Sequence, residues 1–357
     1  MALMSFILLG LVSLATASAR IHADIEAQEQ RIAELRAHPG TPVDEQSFAG
    51  FDLSLSNQIK FNQVQSLITH NSYKKNITWE TRTFFSAFSF IRNIRSSEYE
   101  HDNMTAQFNN GIRGVELDIS YENGRFLVYH IKPVDTGSTC PDWELALEEI
   151  KIWSDNNPGH LPISVLVELK DASMSSDRLR LLDDSVRRIM GEDKLITPAL
   201  LMGDNDSLSK VAANKDWILL SEVMGKVMFI LHPHEEATAN YIRLDPSLRS
   251  LSFVPMFSYD DFVLPRPDFA PHYLLIKEDK LDIGAVRPLV AAGYMVRVRM
   301  DAPLRYAENN KKLAVDTGAQ LISTDYEPGV ILPEVDYTGV LTGGKTSVLQ
   351  SPYDSYH

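Results

Sequence analysis

The run GVELDISYENGRFLVYH, residues 114–130, carries the first pattern that could do chemistry. Alternate side chains of a strand face one way, so Glu116 and Asp118 share a face opposite Val115, Leu117 and Ile119. If the aliphatic set meets packing helices, both carboxylates point inward, where like charges repel and desolvation is costly. A hard cation relieves that cost. Carboxylate and amide oxygens suit one Ca²⁺ ion, with Mg²⁺ the less favoured choice. VLVELK repeats the pattern, placing Glu168 and Lys170 on one face, opposite Val165, Val167 and Leu169. ITHNSY adds His70 and Asn71, and LVYH brings His130 to the end of a further run. Neighbours 70 and 71 can serve one site only if the strand is already ending there. No Cys or His spacing suits zinc.

Each feature has a plainer explanation. A single strand histidine is usually structural, Glu116 and Asp118 could pair with Arg113 or Arg125, and Glu168 could simply pair with Lys170. The constellation weighs more than its parts. Two histidines, one amide and three carboxylates all fall at strand ends, where barrel enzymes gather their catalytic groups.

The elements that must position them alternate along the chain. Strand patterns are expected at 64–70, 114–120, 126–131, 163–169, 226–231, 272–277, 295–300 and 320–324, with ENG at 122–124 as a turn. Helical patterns fall at 143–153, at 306–318, and over DRLRLLDDSVRRIMG, with Asp177 placed to cap it and Gly191 to stop it. This alternation predicts an α/β fold, a TIM-type (β/α)8 barrel, with a doubly wound open sheet as the rival. The expected division is a signal peptide over 1–19, an N-terminal helix and linker over 20–61, the barrel over 62–333, and a polar tail over 334–357.

Composition narrows the function. The 357 residues carry 34 basic and 48 acidic side chains, a net charge of −14. That balance argues against a nucleic-acid binder and against long-range attraction to anionic membranes. An anionic substrate therefore needs a local cation cluster or a bound metal. MALMSFILLGLVSLATASAR reads as a secretory signal peptide with an Ala17-Ser-Ala19 cleavage pattern. The expectation is a secreted protein, periplasmic in a Gram-negative host, monomeric, with no transmembrane span in the mature chain. Cys140 is the only cysteine, which excludes an internal disulfide and predicts a buried, inert thiol.

LITHNSY, YEHDNMTAQFNNGIRGVELDI, FLVYH and VLVELKD, in that order, resemble the calcium-dependent phosphoinositide-specific phospholipase C family in its small single-domain form. GKVMFIL, GYMVRVRMD and GAQLISTDY are similar to that group's closing strands, so the likeness covers most of residues 62–330. The resemblance implies a TIM barrel that cleaves phosphatidylinositol at a membrane surface by attack of the inositol 2-hydroxyl on phosphorus. It implies His70 and His130 as catalytic residues, and Asn71, Glu116, Asp118 and Glu168 as calcium ligands. Lys170, Lys277, Arg297, Arg299 and Tyr326 are candidates for holding substrate. Glu168 followed by Lys170 is also typical of glycerophosphodiester phosphodiesterases on the same barrel, although THNSY departs from their His-Arg-Gly context. A calcium-holding barrel that only binds inositol lipids is a third reading, against which the two histidines argue. The aromatics of FFSAFSFIRNIR, Phe84 to Phe90, are read as a packed cap rather than a lipid-dipping loop.

Overall fold

The computed structural model describes residues 2–76, 99–133, 135–171, 174–232, 234–247, 251–256, 258–277, 281–301, 307–330 and 335–350. The side chains of residues 2–15 and of Lys277 lie outside it, as does the Phe84–Phe90 stretch.

Among the described residues, ten strands form two five-stranded sheets. One half holds β1 (Val64–Thr69), β7 (Leu275–Lys277), β8 (Met295–Arg299), β9 (Leu321–Thr324) and β10 (Ser347–Leu349) in the order β10-β1-β9-β8-β7. The other holds β2 (Gly114–Glu122), β3 (Arg125–Val128), β4 (Ile163–Leu169), β5 (Leu195–Ile196) and β6 (Val227–Leu231) in the order β3-β2-β4-β6-β5. Within each half the strands run parallel, apart from β10 against β1 and β3 against β2. Two seams join the halves. At the first, Arg113 N donates to Leu67 O and Ser72 N to Glu116 O. A Cβ at Gly114 would lie 2.3 Å from Ile68 Cγ2, so only glycine permits this approach of β2 to β1. At the second, the irregular segment 251–256 bridges β6 through Ile230↔Phe253 and β7 through Met256↔Ile276. The parallel strands with intervening helices make a TIM-type α/β fold with an irregular fifth strand position.

Strand patterning produces this arrangement directly. Val115, Leu117 and Ile119, with Val165, Val167 and Leu169, pack outward into one core with Trp143, Leu147 and Leu182 of the covering helices. These helices are Trp143–Asn156 and Ser176–Met190. Fully burying such aliphatic side chains contributes about 1.5–3 kcal/mol each, and the same alternation turns Glu116, Asp118 and Glu168 to the inside. Ser175, not Asp177, caps the second helix: its hydroxyl accepts from Arg178 N, leaving Asp177 to face the macrodipole from the first turn, while Gly191 ends the helix at φ 80. Asn123 and Gly124, at φ 50 and 85, form the two-residue turn between β2 and β3.

Two further expectations need correction. FLVYHI is not a barrel strand: β3 stops at Val128 and is the antiparallel hairpin partner of β2, because a two-residue turn can only reverse the chain. The barrel position it seemed to fill belongs to residues 251–256, too short and irregular to show a strand period. The polar tail also contributes to the sheet, since β10 pairs with β1 from Val64↔Leu349 to Ser66↔Ser347. At the other end of the chain, α1 (Ala2–Ala37) is one continuous helix. Ile21 and Ile25 pack on Leu127 and Tyr129, and Arg31 Nη2 bonds Glu149 Oε2 at 2.9 Å.

Candidate active site and metal centre

β1 ends at Thr69, and the turn beyond it decides where His70 and Asn71 point. Asn71 takes a left-handed φ of 49, which lets consecutive residues serve one site. His101 holds the turn: its Nε2 donates to the His70 carbonyl at 2.8 Å, while Nδ1 bonds Glu327 Oε2 at 2.5 Å. Burial opposes a charge on His101, yet the Glu327 and Asp325 carboxylates and the His70 carbonyl together outweigh it and the net shift is upward.

His70 Nδ1 lies 2.8 Å from Asp325 Oδ1 and 3.0 Å from the Tyr99 hydroxyl. Asp325 directs its second oxygen to Arg299 Nη2 at 2.5 Å. Burial works against ionisation of Asp325, but His70 and Arg299 together hold its carboxyl down at about 2. Burial lowers the His70 imidazole below its ordinary value, with Asp325 opposing. Asp325 is thus the ionised partner that fixes the ring.

Glu116 and Asp118 are fully buried. Asp118 stands directly opposite Glu168 in the β2–β4 ladder, and like charges facing each other in a sheet are destabilising. Lys170 Nζ sits between them, 2.7 Å from Asp118 Oδ2 and 2.6 Å from Glu168 Oε1. Glu116 Oε2 receives Arg297 Nη2 at 2.8 Å. One lysine does not neutralise the Asp118–Glu168 pair: burial, then the Glu168 charge, pushes Asp118 up to about 7 against Lys170. Asp118 Oδ1 is buried without a hydrogen-bond partner. Glu116, Glu168 and His232 bring donor atoms within 4.8 Å of one another, with His232 Nε2 3.4 Å from Glu168 Oε2. Asn71 Nδ2 donates to the Tyr99 hydroxyl at 2.9 Å, which leaves the amide oxygen as the atom that could face a cation. A cluster of hard oxygens short of positive charge fits Ca²⁺.

His130 comes two residues after the end of β3. Its Nδ1 lies 3.0 Å from Asp135 Oδ2, which also accepts from Lys74 Nζ at 2.9 Å.

The remaining expected residues divide. Arg113 and Arg125 pair with Glu45 and Asp142, not with the Glu116–Asp118 strand. Arg297 and Arg299 have their guanidiniums engaged by Glu116 and Asp325. Tyr326 is buried edge-on against Tyr337, 5.7 Å between ring centres. Lys277 is in register with Arg297, but its side chain lies outside the described residues. Cys140 is buried and burial pushes its thiol up to about 12, so it is inert. Sequence reasoning missed Tyr99, His101, Asp135, His232, Asp325 and Glu327. Asp325 and Glu327 had a signal, since STDYE alternates two carboxylates just past a strand.

The family model "Phosphoinositide phospholipase C, Ca2+-dependent" matches residues 59–126 and 120–350. The chain belongs to that family. Among solved structures, the calcium-dependent phosphoinositol-specific phospholipase C of Pseudomonas sp. is 19% identical, with a TM-score of 0.62 over 82% of this chain and 96% of that one. A myo-inositol complex of the Pseudomonas enzyme is 18% identical, with a TM-score of 0.62 over 83% and 97%. The calcium-dependent phosphatidylinositol-specific phospholipase C of Streptomyces antibioticus is 17% identical, with a TM-score of 0.57 over 75% and 95%. At these identities the likeness establishes the fold. Among curated proteins none matches. This calcium-dependent phospholipase C is therefore a phosphoric diester hydrolase whose cofactor is Ca²⁺ and whose activity is directed at phosphoinositides. No helix among its described residues is long and apolar enough to cross a membrane.

Proposed function

We propose that the protein is an exported phospholipase C that cleaves phosphatidylinositol, or a close inositol phospholipid, to diacylglycerol and a cyclic inositol phosphate. The single observation that carries this reading is the inward oxygen cluster of Glu116, Asp118 and Glu168, suited to calcium, with the carboxylate-backed His70 close enough to feel the Glu116 charge. The Pseudomonas structure binds myo-inositol, which supports an inositol headgroup here.

In this reading Asn71, Glu116, Asp118 and Glu168 hold the ion. When bound, calcium acidifies the attacking hydroxyl and neutralises phosphoryl oxygens. Asp325 keeps the Nδ1 proton of His70, so the opposite nitrogen is free to take the proton of the inositol 2-hydroxyl. That oxygen forms its bond to phosphorus while the bond to the diacylglycerol oxygen breaks. His130, held through Nδ1 by Asp135, gives its Nε2 proton to the departing oxygen. Lys170 and Arg299 are the cations available to the headgroup beside the cluster. Export rests on the apolar N-terminal run. Arg20, Asp24, Gln28 and Arg31 of α1 all reach the barrel from beyond the expected cut, which is compatible with a mature chain that keeps this part of the helix.

The test offers purified protein phosphatidylinositol and, separately, glycerophosphoinositol, with and without chelator, following products by ³¹P NMR. The expected result is a cyclic inositol phosphate from the lipid, abolished by chelator. Turnover of the deacylated diester alone, with glycerol phosphate as product, would favour a glycerophosphodiesterase and sink the proposal. Mass spectrometry of the exported protein, expected to begin at Arg20, tests the leader.

A further inference from the structure

We propose that Lys74 and Asp135 are positioning residues for His130, a buried cation and anion that fix its ring with the Nδ1 proton directed at Asp135, so that Nε2 is the nitrogen that carries and gives the transferred proton. The inference rests on the reading of His130 as proton donor and adds the groups that set its state.

The geometry is specific. One carboxylate oxygen, Asp135 Oδ2, receives both His130 Nδ1 at 3.0 Å and Lys74 Nζ at 2.9 Å. Lys74 is 1% exposed, which is rare for a lysine and costly unless its charge is met. A lysine placed only to brace a loop would be cheaper at the surface. Asp135, itself buried, is held below its ordinary carboxylate value by the His130 bond and the Lys74 charge, against the effect of burial. An ionised Asp135 accepts a hydrogen bond from Nδ1–H and cannot donate one, which selects the tautomer.

The backbone holds both partners in place. Ile131 and Asp135 exchange N–H···O bonds of 2.9 and 2.6 Å, closing a tight loop just after His130. Lys74 pairs with Ser138 as an antiparallel bridge, and Thr139 N donates to Tyr73 O at 2.7 Å. Asp24 of α1 clamps the two segments together, accepting from Lys75 Nζ at 2.6 Å and Ser138 N at 3.1 Å. The segment that leaves Asn71 is therefore the one that carries the cation for His130. Around the loop, Glu122 and Lys132 pair with each other, and the Arg20 guanidinium of α1 lies against Gly137.

The same device occurs at His70, where Asp325 bonds Nδ1 and shares its charge with Arg299. Two histidines with equivalent backing, built from unrelated elements, point to a shared chemical requirement.

The test compares wild type with Asp135→Asn, Lys74→Met and His130→Ala on phosphatidylinositol vesicles at saturating calcium. The expected loss for Asp135→Asn is about 10–100-fold in kcat with KM unchanged, the usual cost of removing a group that orients a histidine. Calcium affinity by calorimetry should stay at the wild-type value. The alkaline limb of the pH–rate profile should move down in Asp135→Asn. It should move up in Lys74→Met, where the undivided Asp135 charge acts on the ring. Imidazole ¹⁵N shifts should report one tautomer in wild type and a mixture in Asp135→Asn, a readout that remains if Lys74→Met does not fold. An ordinary structural pair would lower thermal stability and leave limb and tautomer unmoved, which overturns the proposal. If His130→Ala keeps wild-type kcat, the catalytic reading of His130 has failed instead.

Discussion

The two histidines to which we assign proton transfer share a wiring scheme and differ in what holds it. His70 sits at the end of β1, Asp325 just past β9 and Arg299 on β8, three neighbouring strands of one parallel sheet. Its geometry is set by strand register, as firm as the sheet itself. His130 sits past a hairpin, its carboxylate on a five-residue loop and its cation on a segment leaving β1. Arg299 remains 21% exposed while Lys74 is sealed at 1%, so the less regular support is compensated by the more deeply buried ion pair. Where a sheet supplies the alignment, the charged partner can stay near solvent. Where a loop must supply it, the fold commits a buried lysine.

Breaking the comparison at its strongest point, His70→Ala should abolish phosphatidylinositol turnover. The expected loss in kcat is at least about 10²–10⁴-fold, the usual worth of a positioned acid or base. Added calcium should restore none of it, and calorimetry should find calcium binding intact. Recovery at high calcium would move His70 from proton transfer to metal support.

Glu116→Gln should lose less and lose it differently. Calcium affinity is expected to fall by about one to two orders of magnitude, as removal of one charged ligand weakens an oxygen site. Activity should return in part as calcium is raised. If His70→Ala and Glu116→Gln respond alike to calcium, the separation of the histidines from the metal cluster does not hold.

The smallest effect concerns an asymmetry between the two sides. Asp301 lies behind Asp325, accepting from its backbone N–H at 3.1 Å and from Thr324 Oγ1. Burial, then the Asp325 charge, pushes Asp301 up to about 7 from an ordinary 3.8. The native state therefore holds a proton between roughly pH 4 and 7 that the unfolded chain has released, so this group's contribution to stability falls as pH rises through that window. In chelator, Asp301→Asn should flatten that slope and raise Tm at pH 8 by about 2–4 °C. Differential scanning calorimetry across pH 4–8 checks it. An unchanged slope would mean Asp301 is ionised and that His70 is backed by a second anion.

Much of the acidic half was legible because strand period is a local property. Glu116 and Asp118 inside, with Val115 and Leu117 outside, result from alternation alone, and so does Glu168. The positive φ of Asn71 was foreshadowed by the need for two neighbours to face one site. The hairpin at residues 123–124 is readable as a turn, yet the apolar run of FLVYHI looks the same in a hairpin arm as in a barrel strand. The fifth barrel position, residues 251–256, has no strand period and could not be found that way.

What the sequence by itself determined is which residue types reach the inner face, since chirality and the two-residue repeat of a strand act within a few residues. It also determined the family, through motifs whose order survives as spacing along the chain. Tertiary structure alone decided the pairings: Asp325 with His70 across 255 residues, Arg297 with Glu116 across 181, and Lys74 with Asp135 across 61. These are choices among many charged side chains of similar type, and only the closing of the two sheets on each other brings particular ones within hydrogen-bond reach.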